Sequence, residues 1–293
     1  MIVVDYNQTA ISNLMAEIGG RTDVELNVPL LRHMIINSFR GYKMKFGKDY
    51  GDIVIACDNR TYWRKAFFPN YKASRKKARA ESGFDWKLIF DTLGEIREEF
   101  NQFFPYRVID VEGAEADDVI AALAKWSQTN DLGGSLFPEA KPFLVVSGDH
   151  DFGQLQQYNN VKQFSPIQKK FIGPKRPPHE YVIEHTVKGD KGDGIPNILS
   201  GDGCFVDGDR QRPVTAKRLA EFIKDGFDAC KTDEERRNWQ RNATLVDFRF
   251  IPAEVEQRII NNYLSQPVKD RSQLYNYFVQ HKMKNMLEVI TDF

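Results

Sequence analysis

Apolar residues recur along this chain with two periods. Short continuous runs at Ile2-Val3-Val4, Ile53-Val54-Ile55-Ala56-Cys57, Val108-Ile109-Asp110-Val111 and Phe143-Leu144-Val145-Val146 predict strands buried on both faces, with a further strand at Val161 to Phe164. Between them, apolar residues at roughly 3.6-residue spacing predict helices. One covers Pro29 to Lys45 with Leu30, Leu31, Met34, Ile35 and Phe39 on its stripe, and one covers Trp86 to Phe103 with Leu88, Ile89, Leu93, Ile96 and Phe100 inside. A third opens near Glu115 and carries Val119, Ile120, Leu123 and Ala124, and a short turn starts near Gln154. Alternating strands and helices are the signature of an α/β fold with a mainly parallel central sheet.

The breaker cluster Gly173-Pro174-Lys175-Arg176-Pro177-Pro178 marks the internal boundary, dividing residues 1–178 from 179–293. Beyond it the pattern is helical: Pro213 to Lys224 with Ala216, Leu219, Ala220 and Ile223 on one face, Thr232 to Leu245 opened by a Thr232/Glu235 capping box, Pro252 to Leu264, and Leu274 to Ile290. The second part is therefore expected to be smaller and all-α.

Acidic residues follow nearly every predicted strand. Asp5, Asp58, the group Glu115, Asp117 and Asp118, and the pair Asp149 and Asp151 each come just after an apolar run. Sites in open α/β sheets form outside the carboxyl ends of the strands, so these acids converge. Convergent carboxylates repel unless positive charge sits among them, and an all-oxygen donor set suits a hard divalent cation, Mg²⁺ or Mn²⁺. The expected chemistry is metal-dependent phosphodiester hydrolysis, in which paired ions clamp the attacking and leaving oxygens. Glu115, Asp117 and Asp118 taken alone also suit the start of a helix, where carboxylates cap free N–H groups. Alternation along an extended turn sends His150 away from its neighbours Asp149 and Asp151, towards packing or solvent. Asp5-Tyr6-Asn7 has the start of an aspartyl-phosphatase pattern but lacks its second aspartate.

With 41 Lys+Arg against 41 Asp+Glu, bulk charge predicts no nucleic-acid affinity, but its distribution does. From Arg60 to Ala80 there is no acid, while Arg60, Arg64, Lys65, Lys72, Arg75, Lys76, Lys77 and Arg79 are basic and Tyr62, Trp63, Phe67, Phe68 and Tyr71 are interleaved. Cations neutralise phosphates and aromatics stack on unpaired bases; otherwise the stretch would be a solvated helix with its aromatic residues turned to the core. The loop Gly189-Asp190-Lys191-Gly192-Asp193-Gly194-Ile195-Pro196-Asn197 can present backbone N–H groups to a phosphate, and it precedes a helix whose first turn holds Lys217.

Other classes recede. An apolar fraction of 41% suits a globular fold, and without a run of about 18 apolar residues the chain has no membrane-spanning helix. Met1 leads directly into a strand with no secretory signal, so a cytoplasmic protein is expected. Cys57, Cys204 and Cys230 are far apart and form no C-x-x-C pair, which argues against disulfides and structural zinc. His179, Glu180 and His185 lack the i,i+4 histidine spacing of a metalloprotease helix.

Taken in order, Val3-Val4-Asp5, Ala56-Cys57-Asp58-Asn59, Tyr62-Trp63-Arg64, Glu115-Ala116-Asp117-Asp118, Gly148-Asp149-His150-Asp151-Phe152, Lys188-Gly189-Asp190-Lys191-Gly192-Asp193 and Leu245-Val246-Asp247-Phe248 through Ile251-Pro252 span nearly the whole chain. Together they resemble the flap endonuclease (5′-nuclease) family, nearest to its bacteriophage ribonuclease H branch. The resemblance implies a 5′-nuclease/PIN-like sheet and a helix–three-turn–helix element over Gly189 to Ile223 that holds duplex DNA. It implies that Asp5, Asp58, Glu115, Asp117 and Asp149 surround one Mg²⁺, and that Asp151, Asp190 and Asp193 hold or orient a second. By the same resemblance Arg64 and Lys72 reach the scissile phosphate from a basic bridge over the site, Tyr71 stacks on the terminal nucleotide, and Gly192 and Gly194 lie on the duplex backbone. Residues 199–212 form an insertion where relatives have a short glycine turn, which speaks against a monovalent-cation site there. The chain begins four residues before Asp5, so an amino-terminal clamp-binding extension is expected to be absent.

The expected activity is 5′-to-3′ exonuclease and flap endonuclease cleavage that removes RNA primers and adjoining DNA from lagging-strand fragments during phage replication, with Mn²⁺ able to replace Mg²⁺. The expected partners are RNA–DNA hybrid, flap and nicked duplex, with a single-stranded-DNA-binding protein and a sliding clamp as candidate proteins, and the expected state is a monomer. Two rivals stand beside it: a non-catalytic branched-DNA-binding protein of the same fold, and a single-metal PIN-like RNase.

Overall fold

The structure is a computed structural model, described for residues 1–19, 21, 25–128, 140–267 and 269–293. In chain order its elements are β1 (Ile2–Asp5), α1 (Tyr6–Ile18), α2 (Val28–Tyr50), β2 (Ile53–Ala56), α3 (Trp63–Phe67), α4 (Ala73–Glu81), α5 (Trp86–Phe103), β3 (Arg107–Ile109), α6 (Ala116–Trp126), β4 (Phe143–Val146), β5 (Val161–Ser165), β6 (Lys170–Ile172) and α7 (Pro178–Lys188). The remainder is helical: α8 (Ala216–Asp225), α9 (Asp233–Val246), α10 (Ala253–Ser265), α11 (Leu274–Gln280) and α12 (Lys284–Leu287). The strands form one six-stranded sheet in the order β3-β2-β1-β4-β5-β6, parallel except for β6, which runs antiparallel to β5. The expected α/β class is correct, and β6 is an edge strand that the apolar pattern did not reveal.

Each central strand is buried on both faces because its alternate residues enter different cores. Ile2 and Val4, Ile53 and Ile55, and Leu144 and Val146 join one core with α1, α2 and α5. Val3, Val54, Ala56, Phe143 and Val145 face α6 and α10 on the other side. The helices after residue 178 contribute to both: Leu274, Tyr277, Phe278, Met286 and Phe293 to the first, Val255, Ile259 and Tyr263 to the second. A smaller cluster of Val187, Ile198, Leu219, Phe222 and Cys230 joins α7 to α8. The boundary expected after residue 178 falls in the first turn of α7, and the helices beyond it close the sheet's two faces. Among the described residues no helix is long and apolar enough to cross a membrane.

Several local expectations change. Asp5 starts a helix at once, because its side chain accepts from the Gln8 N–H at 3.0 Å and caps α1. The polar residues among the buried Tyr6, Ala10, Leu14 and Ile18 dilute that helix's stripe in the sequence. Leu88 is 47% exposed, since the core-facing line of α5 is Ile89, Leu93, Ile96 and Phe100, and Leu88 stands one residue (about 100°) away from it. Leu30 is exposed for the same kind of reason, at the edge of the stripe that buries Leu31 and Ile35. The helix expected over Leu274 to Ile290 is broken at Lys282, whose φ of 54° lets Met283 N–H reach back to the Phe278 carbonyl at 2.8 Å, ending α11 in a Schellman-type turn. That turn brings Met283 and Met286 into the core with Tyr277. The basic stretch 60–80 forms α3 and α4, and α4 buries no side chain. Residues 178–188, which the breaker cluster obscured, form α7 with Pro178 in its first turn, where the missing N–H costs nothing.

The loop after α7 depends on one glycine. Gly189 has φ +65°, and a Cβ there would stand 2.3 Å from the Ile195 carbonyl oxygen and 2.6 Å from that of Pro196. Gly189→Ala is expected to destabilise the protein by roughly 1–3 kcal/mol in chemical denaturation. Gly41→Ala, in helical backbone with open space around it, should stabilise by about 0.5–1 kcal/mol. Equal effects would contradict this account of the loop.

Candidate nuclease site

The carboxyl ends of β1, β2 and β4 and the start of α6 open onto one cleft of about 440 Å³, lined by Asp5, Asp58, Asp117, Asp149, Asp151, Asp190 and Asp193 together with Lys72, Arg75, Arg79, Trp86 and Phe90. Several of these acids are held by hydrogen bonds from backbone and side chains. Asp58 Oδ1 accepts from the Ala116 N–H at 2.8 Å, and its Oδ2 accepts from Asn7 Nδ2 at 2.5 Å. Asp149 caps the 3₁₀ turn His150–Gln157 by accepting from the Asp151 N–H at 3.0 Å. Asp190 accepts from the Asp193 N–H at 3.0 Å inside a hairpin closed by the Asp190 and Ile195 backbones. Ser147 donates to Asp5 Oδ2 at 3.3 Å, and the Gln8 side chain accepts from the Gly148 N–H.

The acids fall into two electrostatic groups. Glu115, Asp118 and Asp193 are matched by cations: Arg64 lies 2.9 Å from Glu115 and 2.8 Å from Asp118, Lys72 lies 2.6 Å from Glu115, and Arg75 lies 2.5 Å from Asp193. Burial pushes Asp193 up, but Lys72 and Arg75 hold its carboxyl below the ordinary range. Among the described residues no lysine or arginine pairs with Asp5, Asp58, Asp117, Asp149, Asp151 or Asp190. Burial, then the charges of Asp58 and Asp149, push Asp5 up to about 7. Burial and Asp149 raise Asp117 well above the ordinary range, and burial and Asp149 bring Asp151 to about 6 despite His185 beside it. Six acids without a lysine or arginine partner, three of them resisting ionisation, fit divalent cations, which supply the missing positive charge. One such position is explicit: a ligand atom from each of Asp151, His185 and Asp190 lies within 4.8 Å of the other two.

The structure places four expected residues differently. Arg64 is 3% exposed and spends its guanidinium on the Leu245 carbonyl, Glu115 and Asp118, inside the wall rather than facing a phosphate. Tyr71 is 2% exposed, packed with Phe68, Ile195, Leu245 and Val246, and its hydroxyl donates to Asp193 at 2.8 Å, so its ring is closed to a stacking base. Glu115 and Asp193 sit in the ion-pair network rather than free in the cleft. Lys72 keeps its place at the cleft, entering α4 with φ 56° and donating its N–H to the Asp193 carbonyl at 2.7 Å. Arg75 and Arg79 line the cleft, while Arg60, Lys65, Lys76, Lys77 and Lys217 are exposed outside it. Gly192 offers its carbonyl to Arg75, and Gly194 is buried against the Asn70 backbone.

Three contributors escaped sequence reasoning. Trp86 and Phe90, at i,i+4 on α5, form a platform beneath Arg79, whose guanidinium stands 5.5 and 4.7 Å from their ring centres. Phe90 falling off the apolar stripe was the available signal. The i,i+4 spacing test sets His185 aside together with His179, because its partners are the acids Asp151 and Asp190 rather than a second histidine. The 199–212 insertion acts as a buttress: Asp202 pairs with Arg237 and Arg241 of α9, and its carbonyl accepts from Asn70, within the basic segment.

The raised acids give the metal-free protein a defined pH dependence. Asp5 and Asp151 hold protons up to about 7 and about 6 when folded, but only to about 4 when unfolded. The folded state therefore binds more protons between these limits, and stability falls as pH rises through them. In EDTA the melting temperature is expected to fall by roughly 5 °C between pH 5 and 7.5, with Asp5→Asn flattening the slope and Mg²⁺ opposing it. A melting temperature that rises over this interval would contradict the assignment.

Comparison with known proteins agrees with this geometry. Residues 31–184 match the family model for the 5′-3′ exonuclease N-terminal resolvase-like domain, and residues 178–293 match that for the C-terminal domain of T4 RNase H. The chain is 32% identical to ribonuclease H of Enterobacteria phage T4, over 99% of this chain and 95% of that protein. It is 26% identical to the flap endonuclease Xni of Shewanella piezotolerans, over 53% of this chain and 56% of that one. Its fold superposes on bacteriophage T5 flap endonuclease, solved in a pseudo-enzyme-product complex with DNA and metal ions, with a TM-score of 0.60 and 17% identity over 90% of this chain and 97% of that one. Because the exonuclease family model matches more than half of the chain and a relative is 32% identical over nearly all of it, the chain belongs to the 5′-3′ exonuclease and phage ribonuclease H family of nucleases.

Proposed function

We propose that this protein is a two-metal 5′-to-3′ nuclease that removes RNA primers and adjoining DNA from lagging-strand fragments. The observation that carries this reading is the cleft in which Asp5, Asp58, Asp117, Asp149, Asp151 and Asp190 have no lysine or arginine partner while Lys72, Arg75 and Arg79 line the same space. Asp5, Asp58, Asp117 and Asp149 would hold one Mg²⁺, and Asp151 and Asp190 the other. When bound, the ions acidify the attacking water and stabilise the departing 3′ oxygen. Lys72, Arg75 and Arg79 neutralise strand phosphates at the cleft, and Trp86 with Phe90 gives an unpaired base a face to stack on. Glu115, locked between Arg64 and Lys72, positions those cations. The hairpin at Asp190–Ile195 and the exposed first turn of α8 with Lys217 form the duplex-holding side. RNA–DNA hybrid, nicked duplex and 5′ flaps are the proposed substrates, in the cytoplasm of the host cell. The rival of a binding protein without turnover predicts occupancy of the same substrates with no product.

Cleavage of nicked duplexes carrying an RNA 5′ segment or a 5′ DNA flap tests this reading. Short 5′-phosphorylated products should require Mg²⁺ or Mn²⁺, and Asp149→Asn should lower their rate at least about a hundredfold without loss of melting temperature in EDTA, because it removes a repelling charge. Salt-sensitive binding without product in both metals would identify a structural branched-DNA-binding protein instead.

A further inference from the structure

His185 lies in the last turn of α7, one helical turn after Tyr181, so both rings project from the same face towards the acids that follow β4 and open the hairpin. Its Nδ1 stands 3.6 Å from Asp151 Oδ1 and 3.4 Å from the Tyr181 hydroxyl, which itself donates to Asp151 Oδ1 at 2.9 Å. Its Nε2 stands 3.6 Å from Asp190 Oδ2, is sealed from solvent and has no hydrogen-bond partner. The surrounding groups thus treat the two nitrogens differently. With the tyrosine proton already given to Asp151, the Tyr181 and Asp151 oxygens offer Nδ1 only lone pairs, which favours the proton on Nδ1. That tautomer leaves the Nε2 lone pair facing Asp190. A ligating histidine shows the same arrangement: one nitrogen oriented by a carboxylate or hydroxyl, the other free for the ion. Asp190 Oδ1 is committed to the Asp193 N–H, so the oxygen that stands beside Nε2 is its other one, Oδ2, while the tyrosine hydroxyl occupies Asp151 Oδ1 on the Nδ1 side.

We infer that His185 ligates the second metal through Nε2, placing one nitrogen among oxygen donors and shifting that position's preference from Mg²⁺ towards ions that accept imidazole. This rests on the two-metal reading above and adds to it a ligand outside the strand-end acids. Oxygen donors suit Mg²⁺, whereas an imidazole strengthens later first-row ions such as Co²⁺ more than it does Mg²⁺. The same geometry would also suit a charged imidazolium acting as counter-ion between the two aspartates, so the experiment must detect the metal–nitrogen bond itself.

Electron spin-echo spectroscopy of Mn²⁺ bound to the full chain does so. The expected result is a nitrogen modulation whose frequencies change when the protein is labelled with ¹⁵N-histidine, a measurement that needs no variant. Because the chain has five histidines, His185→Gln assigns the signal: it should abolish the modulation and, by calorimetry, weaken Co²⁺ binding about tenfold while changing Mg²⁺ binding less than about threefold. Bound Mn²⁺ that supports cleavage but shows no histidine nitrogen, or a modulation that survives His185→Gln, would overturn the inference and leave the two-metal reading intact. If neither Mn²⁺ nor Mg²⁺ bound, both would fall.

Discussion

Bringing Asp5, Asp58, Asp117, Asp149, Asp151 and Asp190 to one partly desolvated cleft sets like charges against one another, and the surrounding architecture answers that repulsion. Inside the wall, Arg64 and Lys72 neutralise Glu115 and Asp118, and Lys72 and Arg75 neutralise Asp193. These pairs tie the basic segment to the start of α6 and to the hairpin after α7, three regions far apart in sequence. The acids left over are the ones whose protons are held tightly or whose charges lack a lysine or arginine partner. Structural acids and acids available to metal are therefore divided by the reach of three cations.

The scaffold meets the same constraint mechanically. Holding repelling groups in place needs a rigid sheet edge, and the sheet is rigid because each central strand feeds two cores at once. The carboxyl-terminal helices matter here as much as the strands do. α10 closes the face beneath α6, α9 supplies the Leu245 carbonyl that fixes Arg64, and Asn242 of α9 donates to the carbonyls of Thr186 and Pro196 on either side of the hairpin. A change in the helical part would reach the cleft through these backbone contacts.

Much of the fold was legible because it rests on local periodicity. Continuous β-branched runs can be satisfied only by burial on both faces, and strand-end position aims the following side chain at the sheet's carboxyl edge, so the parallel sheet and the convergence of Asp5, Asp58, Asp117 and Asp149 followed from residue order alone. Thr215 and Thr232 announced the starts of α8 and α9 by the same local chemistry, each accepting from the N–H three residues on. Where polar residues diluted the stripe, as in α1, or where a turn was stabilised by distant packing, as at Lys282, local rules failed.

What the chain's order could not decide is which charges meet. Whether a basic residue faces solvent, a phosphate or a buried acid depends on contacts across many positions, 51 between Arg64 and Glu115 and 118 between Arg75 and Asp193. Tertiary packing turned Tyr71 from a surface aromatic into a core residue, set Trp86 and Phe90 beside Arg79 at the cleft, and brought His185 between Asp151 and Asp190. The sequence by itself determined the sheet, its acidic edge and the family; the partition of that edge into ion pairs and cation-free acids came only with the three-dimensional fold, because Coulomb interactions depend on distance and burial, which sequence spacing does not encode.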